Sequence, residues 1–434
     1  MTAQPTSRTA QPTPVGADGA PLRAPSDLVA RLAQVPQERR ADAVAAALAA
    51  LASTPVVEGE AEVDGVACVA ATFLAVHADP SAQVLVHVNS LTDRHRTHIA
   101  PAVMERLDGT DLWHRTWWVP SDLVASYRIA VGEPFADDVG RDRPGWLRVH
   151  ERGRPDPLNP HRLPDPLGHE SSVLVGPRGR VHPAWLRAAR TPQPVTRLDV
   201  PDPVVGGTRT VWVAGPRDPE RVLIAFDGDT WHQGLDLASA LTDTPQGSGT
   251  AVVMVSSTSA EARRRVLPDP EAVGSLLADA VLPAVRGVLG ALPGPDGTVV
   301  SGQSFGGLAA AGVVVTRPDI STRAIVQSGS FQYKHGREMV RDDRIAGDLV
   351  RRIRSAGVAD GIEVAMQWGS EEGELGAVGR QAADALRDAG ARVTTRVYAG
   401  GHDYAWWRTG LFDALATLPA SPSHGSIWLV SALE

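Results

Sequence analysis

The chain has 434 residues, 43% hydrophobic and 21% charged. That is enough apolar content for a sizeable core, and it excludes a wholly disordered polymer. Against 50 Asp+Glu, 42 Lys+Arg leave a net charge of -8, which argues against a general nucleic-acid binder, because phosphate affinity needs a basic face. Cys68 is the only cysteine, so no internal disulfide forms. The N-terminus lacks an apolar leader, and no run of about 18 apolar residues marks a membrane span. A cytoplasmic location is expected. Lys334 is the single lysine, so cationic sites here are guanidinium forks suited to carboxylates and other delocalised oxyanions.

Residues 1–25, rich in Pro, Thr, Ala and Gln, read as a disordered tail. Residues 26–52 are helical in pattern, with Ser26 placed to cap the first helix. From 58 to 133 the period becomes two: 67–76, 83–88, 112–119 and 125–131 alternate as short strands, with a turn at Asp108-Gly109-Thr110. Close spacing of such strands predicts a β-sandwich. Residues 134–190, rich in Pro, Gly and Arg, read as a long connection with few regular elements. The region 26–190 is thus one helical-plus-sandwich domain. From 191 to 434 the pattern alternates. Strands at 209–214, 221–226, 251–255, 298–301, 323–326, 362–366 and 392–398 are separated by helices at 235–241, 271–289, 308–316, 344–354 and 378–388. This predicts a mostly parallel sheet with helices on both faces.

Ser301-Gly302-Gln303-Ser304-Phe305-Gly306-Gly307 fits G-x-S-x-G between a strand and an Ala-rich helix. In that context Ser304 sits on a strained elbow as a candidate nucleophile, and the backbone N–H of Phe305 is a candidate oxyanion donor. A serine nucleophile needs a base and an orienting acid, in the chain order Ser, acid, His. Three histidines follow Ser304: His335, His402 and His424. His402 lies in the glycine-rich loop Gly400-Gly401-His402-Asp403 after the last strand and is the candidate base. The acid is expected after the preceding strand, where Glu371, Glu372 and Glu374 stand; Glu372 is the first choice among them, and a solvated acidic loop is the bland reading. The backbone N–H of Asp229, in Asp227-Gly228-Asp229-Thr230-Trp231, is the candidate second oxyanion donor. Trp231 and Trp407 could stack on an aromatic substrate or fill the core. The cluster of His95 and His98 lacks ligand-spaced partners, so no metal and no cofactor is expected.

Together, Gly302–Gly307, Gln327-Ser328-Gly329-Ser330, Gly400–Asp403 with Trp407-Arg408, and Asp227-Gly228-x-x-Trp231 resemble the enterochelin esterases. The N-terminal half resembles them too, in Val88-Asn89-Ser90-Leu91-Thr92-Asp93-Arg94-His95, Gly109-Thr110-Asp111-Leu112-Trp113 and Asp156-Pro157-Leu158-Asn159-Pro160. The resemblance implies a β-sandwich that shapes the substrate site, followed by an α/β hydrolase. It also implies hydrolysis of ester bonds in an anionic ferric tri-catecholate siderophore, with iron arriving on the substrate. The family's Arg-x-x-Glu-Leu-Pro segment here reads Arg263-Arg264-Arg265-Val266-Leu267-Pro268. Arg263 keeps the family's arginine and is the expected substrate-binding cation. The family glutamates become Val266 and Ala280, which implies a more cationic site. An acyltransferase or thioester-releasing enzyme with the same Ser-His-Glu set is the alternative.

Overall fold

The computed structural model describes residues 10–164, 169–187, 190–337 and 344–418. His424, residues 1–9 of the expected tail and the last residues of the expected hydrolase region lie outside them. The chain forms two compact units. The first comprises Met1–Leu186, Gln367–Gly376 and Arg396–Gly410; the second comprises Arg187–Met366, Ala377–Thr395 and Leu411–Glu434.

The first unit is built on β1 (Val56–Val63), β2 (Val66–Val76), β3 (Gln83–Val88), β4 (Glu105–Arg106), β5 (Leu112–Pro120), β6 (Val124–Gly132), β7 (Arg162–Pro164) and β8 (Glu170–Val175). They pair antiparallel in two four-stranded sheets, ordered β1-β2-β5-β4 and β3-β6-β8-β7. One apolar core takes side chains from both sheets, as a sandwich requires. At its centre Phe73 meets Trp117 and Tyr127 edge-on, with centroids 5.6 and 5.0 Å apart. The helices Asp27–Gln34 and Gln37–Ala50 bury Leu28, Leu32 and Val44 against Leu74 and Leu112. Ser26 caps the first by accepting from the Val29 N–H.

Two expectations about this unit are corrected. Residues 10–25 pack into it rather than trailing as a tail: Thr13 is buried and Arg23 bridges to Trp117. Low-complexity composition hides such packing, because the bonds are made by backbone groups. Residues 134–190 are not a bare connection either. They supply the helix Arg143–Arg152, capped by Asp142 on the Gly145 N–H at 2.7 Å, and the strands β7 and β8. That helix buries only Gly145, Trp146 and Val149, too few for a periodic signal.

The sheet of the second unit runs through β9 (Thr196–Pro201), β10 (Thr208–Ala214), β11 (Arg221–Phe226), β12 (Thr250–Val255), β13 (Thr298–Gln303), β14 (Arg323–Gln327), β15 (Glu363–Gly369) and β16 (Arg392–Tyr398). The order is β16-β15-β14-β13-β11-β12-β10-β9. Pairs β11·β12, β11·β13 and β13·β14 are parallel, while β9 and β10 add an antiparallel edge. β11, β12 and β14 are buried at every residue, as strands covered on both faces must be. The chain crosses into the first unit at the ends of β15 and β16.

Pro270–Leu289 forms a 20-residue helix long and apolar enough to cross a membrane by length and composition, against the sequence expectation. Its buried Val273, Leu276, Leu277, Ala280, Val281 and Val285 recur at three- and four-residue steps, while Glu271, Asp279 and Arg286 are exposed. This one-sided stripe is that of a core helix.

In the same unit Asp202 and Arg209 form a buried ion pair at 2.5 Å, with side chains 1% and 2% exposed. Burial pushes the Asp202 carboxyl up, but the N–H groups of Val205 and Val204 and the Arg209 guanidinium outweigh it and hold the carboxyl below its ordinary value. A lowered folded value means that this contribution is present above the unfolded carboxylate range and is lost as pH falls through the folded value. Asp202→Ala strands a buried guanidinium and should cost about 3–5 kcal/mol near neutral pH. Urea melts at pH 7 and pH 3 should show that loss shrinking in acid; an equal loss at both would mean that the pair is not the source.

Candidate active site

Three parallel strands of the second unit each end in a non-glycine residue with left-handed backbone. Asp227 follows β11 with φ 57°, Ser304 follows β13 with φ 58°, and Ser328 follows β14 with φ 50°. Such backbone costs free energy and persists only where neighbours fix it. At the serine, the Ser304 N–H donates to Gln327 O at 3.0 Å, and the Ser330 N–H donates to Ser304 O at 3.1 Å. Glycine is obligatory beside the elbow: a Cβ on Gly302 would lie 2.2 Å from the Gly306 backbone. Ser304 Oγ is partly exposed and stands 3.3 Å from Ser330 Oγ. Phe305 begins the helix Phe305–Thr316, so its N–H has no acceptor within the helix and points the positive helix end at the elbow. A cavity of about 350 Å³ opens beside this helix, lined by Leu308, Tyr333 and Leu349 with Asp269 and Arg352.

Asp229 lies on the loop after β11. Its carboxylate accepts from Ser256 Oγ at 2.8 Å and from the Ser257 N–H at 2.7 Å, fixing the loop that carries its backbone N–H. Of the two expected substrate contacts nearby, the structure corrects Trp231 and gives Arg263 a partner within the protein. Trp231 is fully buried and donates to Gln303 Oε1 at 3.2 Å; Gln303 in turn donates to Gln327 Oε1 at 2.8 Å. The indole therefore ties β11's loop to β13 and offers no face to a ligand. Arg263, 27% exposed, grips Asp227 with both arms of its fork, at 2.6 and 2.7 Å. A guanidinium engaged this way is largely neutralised and holds the strained Asp227 in place. Arg264 and Arg265 are exposed, so of the triple arginine only Arg263 turns inward.

The expected base and acid belong to the first unit. Glu372 closes the short 3-10 turn Ser370–Glu372 after β15. Its Oε1 lies 2.9 Å from His402 Nδ1, and its Oε2 accepts the Gly369 N–H at 3.1 Å. Of the three carboxylates weighed, Glu372 is the one in contact with His402. The Glu372 side chain is 0% exposed and that of His402 24%, so the acid is enclosed while the imidazole reaches solvent. Trp407 packs edge-on against the imidazole, centroids 4.8 Å apart, and is 4% exposed. It buttresses His402 and offers no stacking surface, which corrects the substrate-binding expectation for Trp407.

Glu371 points the other way and is a structural residue. It accepts from the Thr13 N–H at 2.8 Å, Thr13 Oγ1 at 2.9 Å and Arg94 Nη2 at 2.5 Å. Burial pushes its carboxyl up, against the pull of Arg94 and Thr13. Ser90 Oγ accepts the His402 N–H at 2.9 Å, and Asp403 accepts the Ser126 N–H at 2.5 Å. A Cβ on Gly401 would fall 2.3 Å from Ser90 Oγ. Both loops thus hang on β-sandwich residues. Sequence reading singled out Ser90 and Arg94 only as parts of a motif and gave Thr13 and Ser330 no task; the long sequence separations carry no local signal. His335 lies in the second unit and lines the 350 Å³ cavity. His95 is buried, with Nδ1 3.0 Å from His98 O.

The family model "Enterochelin esterase, N-terminal" matches residues 71–185, and the esterase family model matches residues 205–418. An iron(III) enterobactin esterase of Dickeya dadantii is 32% identical over 365 residues, covering 77% of this chain and 83% of that one. One of Escherichia coli O6:H1 is 27% identical over 350 residues, covering 77% and 86%. The crystal structure of the ferric enterobactin esterase from Salmonella typhimurium superposes with a TM-score of 0.74 at 25% identity, covering 86% of this chain and 98% of that one.

Two substitutions separate positioning from substrate contact. Arg263→Ala frees Asp227 and should slow a neutral small ester and an anionic siderophore alike, by about 10- to 100-fold in kcat. A rise in KM for the anionic substrate alone would restore Arg263 as a substrate-binding cation. Arg94→Ala removes the partner of buried Glu371 and should lower kcat by about tenfold or more through displacement of the Glu372 turn, with KM little changed. Steady-state kinetics on both substrates read the split.

Proposed function

Since the chain belongs to the enterochelin esterase family, we propose that it hydrolyses the ester bonds of a ferric catecholate-type siderophore and so releases iron. The chain is a carboxylic ester hydrolase. What carries the mechanistic reading is the contact of His402 Nδ1 with Glu372 Oε1 at 2.9 Å, in a chain that also presents Ser304 on a strained elbow.

In this reading Glu372 accepts from Nδ1–H and fixes the tautomer, leaving His402 Nε2 to take the Ser304 proton. Ser304 Oγ then attacks the ester carbonyl. The N–H groups of Phe305 and Asp229 stabilise the oxyanion, and the Asp229–Ser256 and Arg263–Asp227 contacts keep that loop from relaxing as charge develops. His402 gives its proton to the leaving hydroxyl. Water, deprotonated by the same imidazole, hydrolyses the acyl-enzyme. Iron travels with the substrate and takes no part in these steps. We read the reaction as cytoplasmic, a location with which the single buried Cys68 is compatible.

Ser304→Ala and His402→Ala should each lower turnover by roughly 10⁴ or more, and the double variant should be no worse, because the residues act as a unit. Glu372→Gln should lose less. Mass spectrometry of ferric and iron-free tri-catecholate siderophores gives the readout; near-normal cleavage by Ser304→Ala would sink the proposal.

A further inference from the structure

A second constellation lies in the β-sandwich unit and is used by none of the chemistry above. His87 stands on β3, Asp93 on the 3-10 turn Thr92–His95, and His150 on the helix Arg143–Arg152. One nitrogen from each imidazole and one carboxylate oxygen all lie within 4.8 Å of one another.

His87 is 5% exposed, yet among the described residues its Nε2 has no hydrogen-bond partner. The nearest carboxylate oxygen, Asp93 Oδ2, is 3.6 Å away, too far for a hydrogen bond. A buried imidazole nitrogen left in this state is costly and needs a reason. The spacing supplies one. Ligands of a tetrahedral ion with bonds of about 2.0–2.1 Å sit roughly 3.3 Å apart, so 3.6 Å suits two groups that share an ion. The carboxylate is already aimed: Trp146 Nε1 donates to Asp93 Oδ1 at 2.8 Å and the Ser90 N–H donates to Oδ2 at 2.7 Å. Second partners of this kind orient metal ligands and leave each oxygen a lone pair. Trp146 and His150 are four residues apart on one helix face, and both rings meet His87 edge-on, at 5.2 and 4.3 Å. His150 is only partly buried, so a modest turn of its side chain closes the set.

We propose that His87, Asp93 and His150 bind one divalent transition-metal ion of zinc-like softness. Two neutral imidazoles and one carboxylate favour such an ion over calcium or magnesium, which take oxygen ligands. Water fills the remaining positions. The site is structural: it clamps β3, the 3-10 turn and the Arg143–Arg152 helix together.

The full-length protein, stripped by chelator dialysis, is titrated with Zn(II) by calorimetry and with Co(II) by visible absorption. Wild type should bind one equivalent of Zn(II), gain Tm on binding, and show Co(II) ligand-field bands. His150→Gln, at a partly exposed position, should weaken Zn(II) binding by more than about tenfold and remove the bands. Trp146→Phe, which removes the donor to Asp93 Oδ1 and keeps an aromatic ring beside His87, should weaken it by about tenfold. His87→Ala should abolish binding; if it does not fold, His150→Gln and Asp93→Asn carry the test, with folding checked by circular dichroism in chelator. The proposal is overturned if wild type binds no stoichiometric Zn(II), or binds it as tightly in His150→Gln and Asp93→Asn as in the parent.

Discussion

The hydrogen bond from the His402 backbone to Ser90, with the grip of Arg94 on Glu371, is the constraint on which the Glu372 and His402 loops depend. An imidazole and a carboxylate on glycine-rich loops have many conformations to lose, and a contact of 2.9 Å between them survives only if both backbones are fixed. Here the fixing groups come from the β-sandwich: the turn around Ser90 holds one loop, and Thr13 and Arg94 hold the other. The Val124 N–H adds a bond to Ala399 O. The sandwich unit thus fixes the backbones that hold His402 and Glu372 together.

The hydrolase sheet solves a different problem. Sharp exits from β11, β13 and β14 put Asp227, Ser304 and Ser328 in left-handed backbone. Two of the kinks are braced by named partners: the Arg263 fork at Asp227 and the Gln327 carbonyl at Ser304. The buried chain from Trp231 through Gln303 to Gln327 links the three strand ends from below. Preorganisation at this edge rests on polar side chains hydrogen-bonded across the strands, Trp231 to Gln303 and Gln303 to Gln327.

Much of this was legible in the sequence. Glycines around Ser304 and the strand-to-helix context fix an elbow locally, and strand alternation between 67 and 131 reads out two strands of each sandwich sheet. His402 and its partner stand where strand order puts them. Side-chain direction was not legible. Trp231, Arg263 and Trp407 have the residue types of a ligand pocket, but 3.6- and 2-residue periods do not say which way a loop residue turns, and all three turn inward. Neither could composition show that residues 10–25 pack, or that 134–190 hold a helix and two strands, since caps and backbone pairing leave a faint pattern in Pro- and Arg-rich chain.

The polypeptide passes from the hydrolase sheet into the sandwich unit and back twice, at 367–376 and 396–410. Recombination between relatives therefore cannot exchange the N-terminal region as a cassette. A chimaera joined near residue 190 would keep its own Glu372 and His402 loops but seat them on foreign anchors in place of Thr13, Ser90 and Arg94. The Glu372 and His402 loops and the anchors that seat them are thus inherited together, and the two halves of such genes should drift as a matched pair.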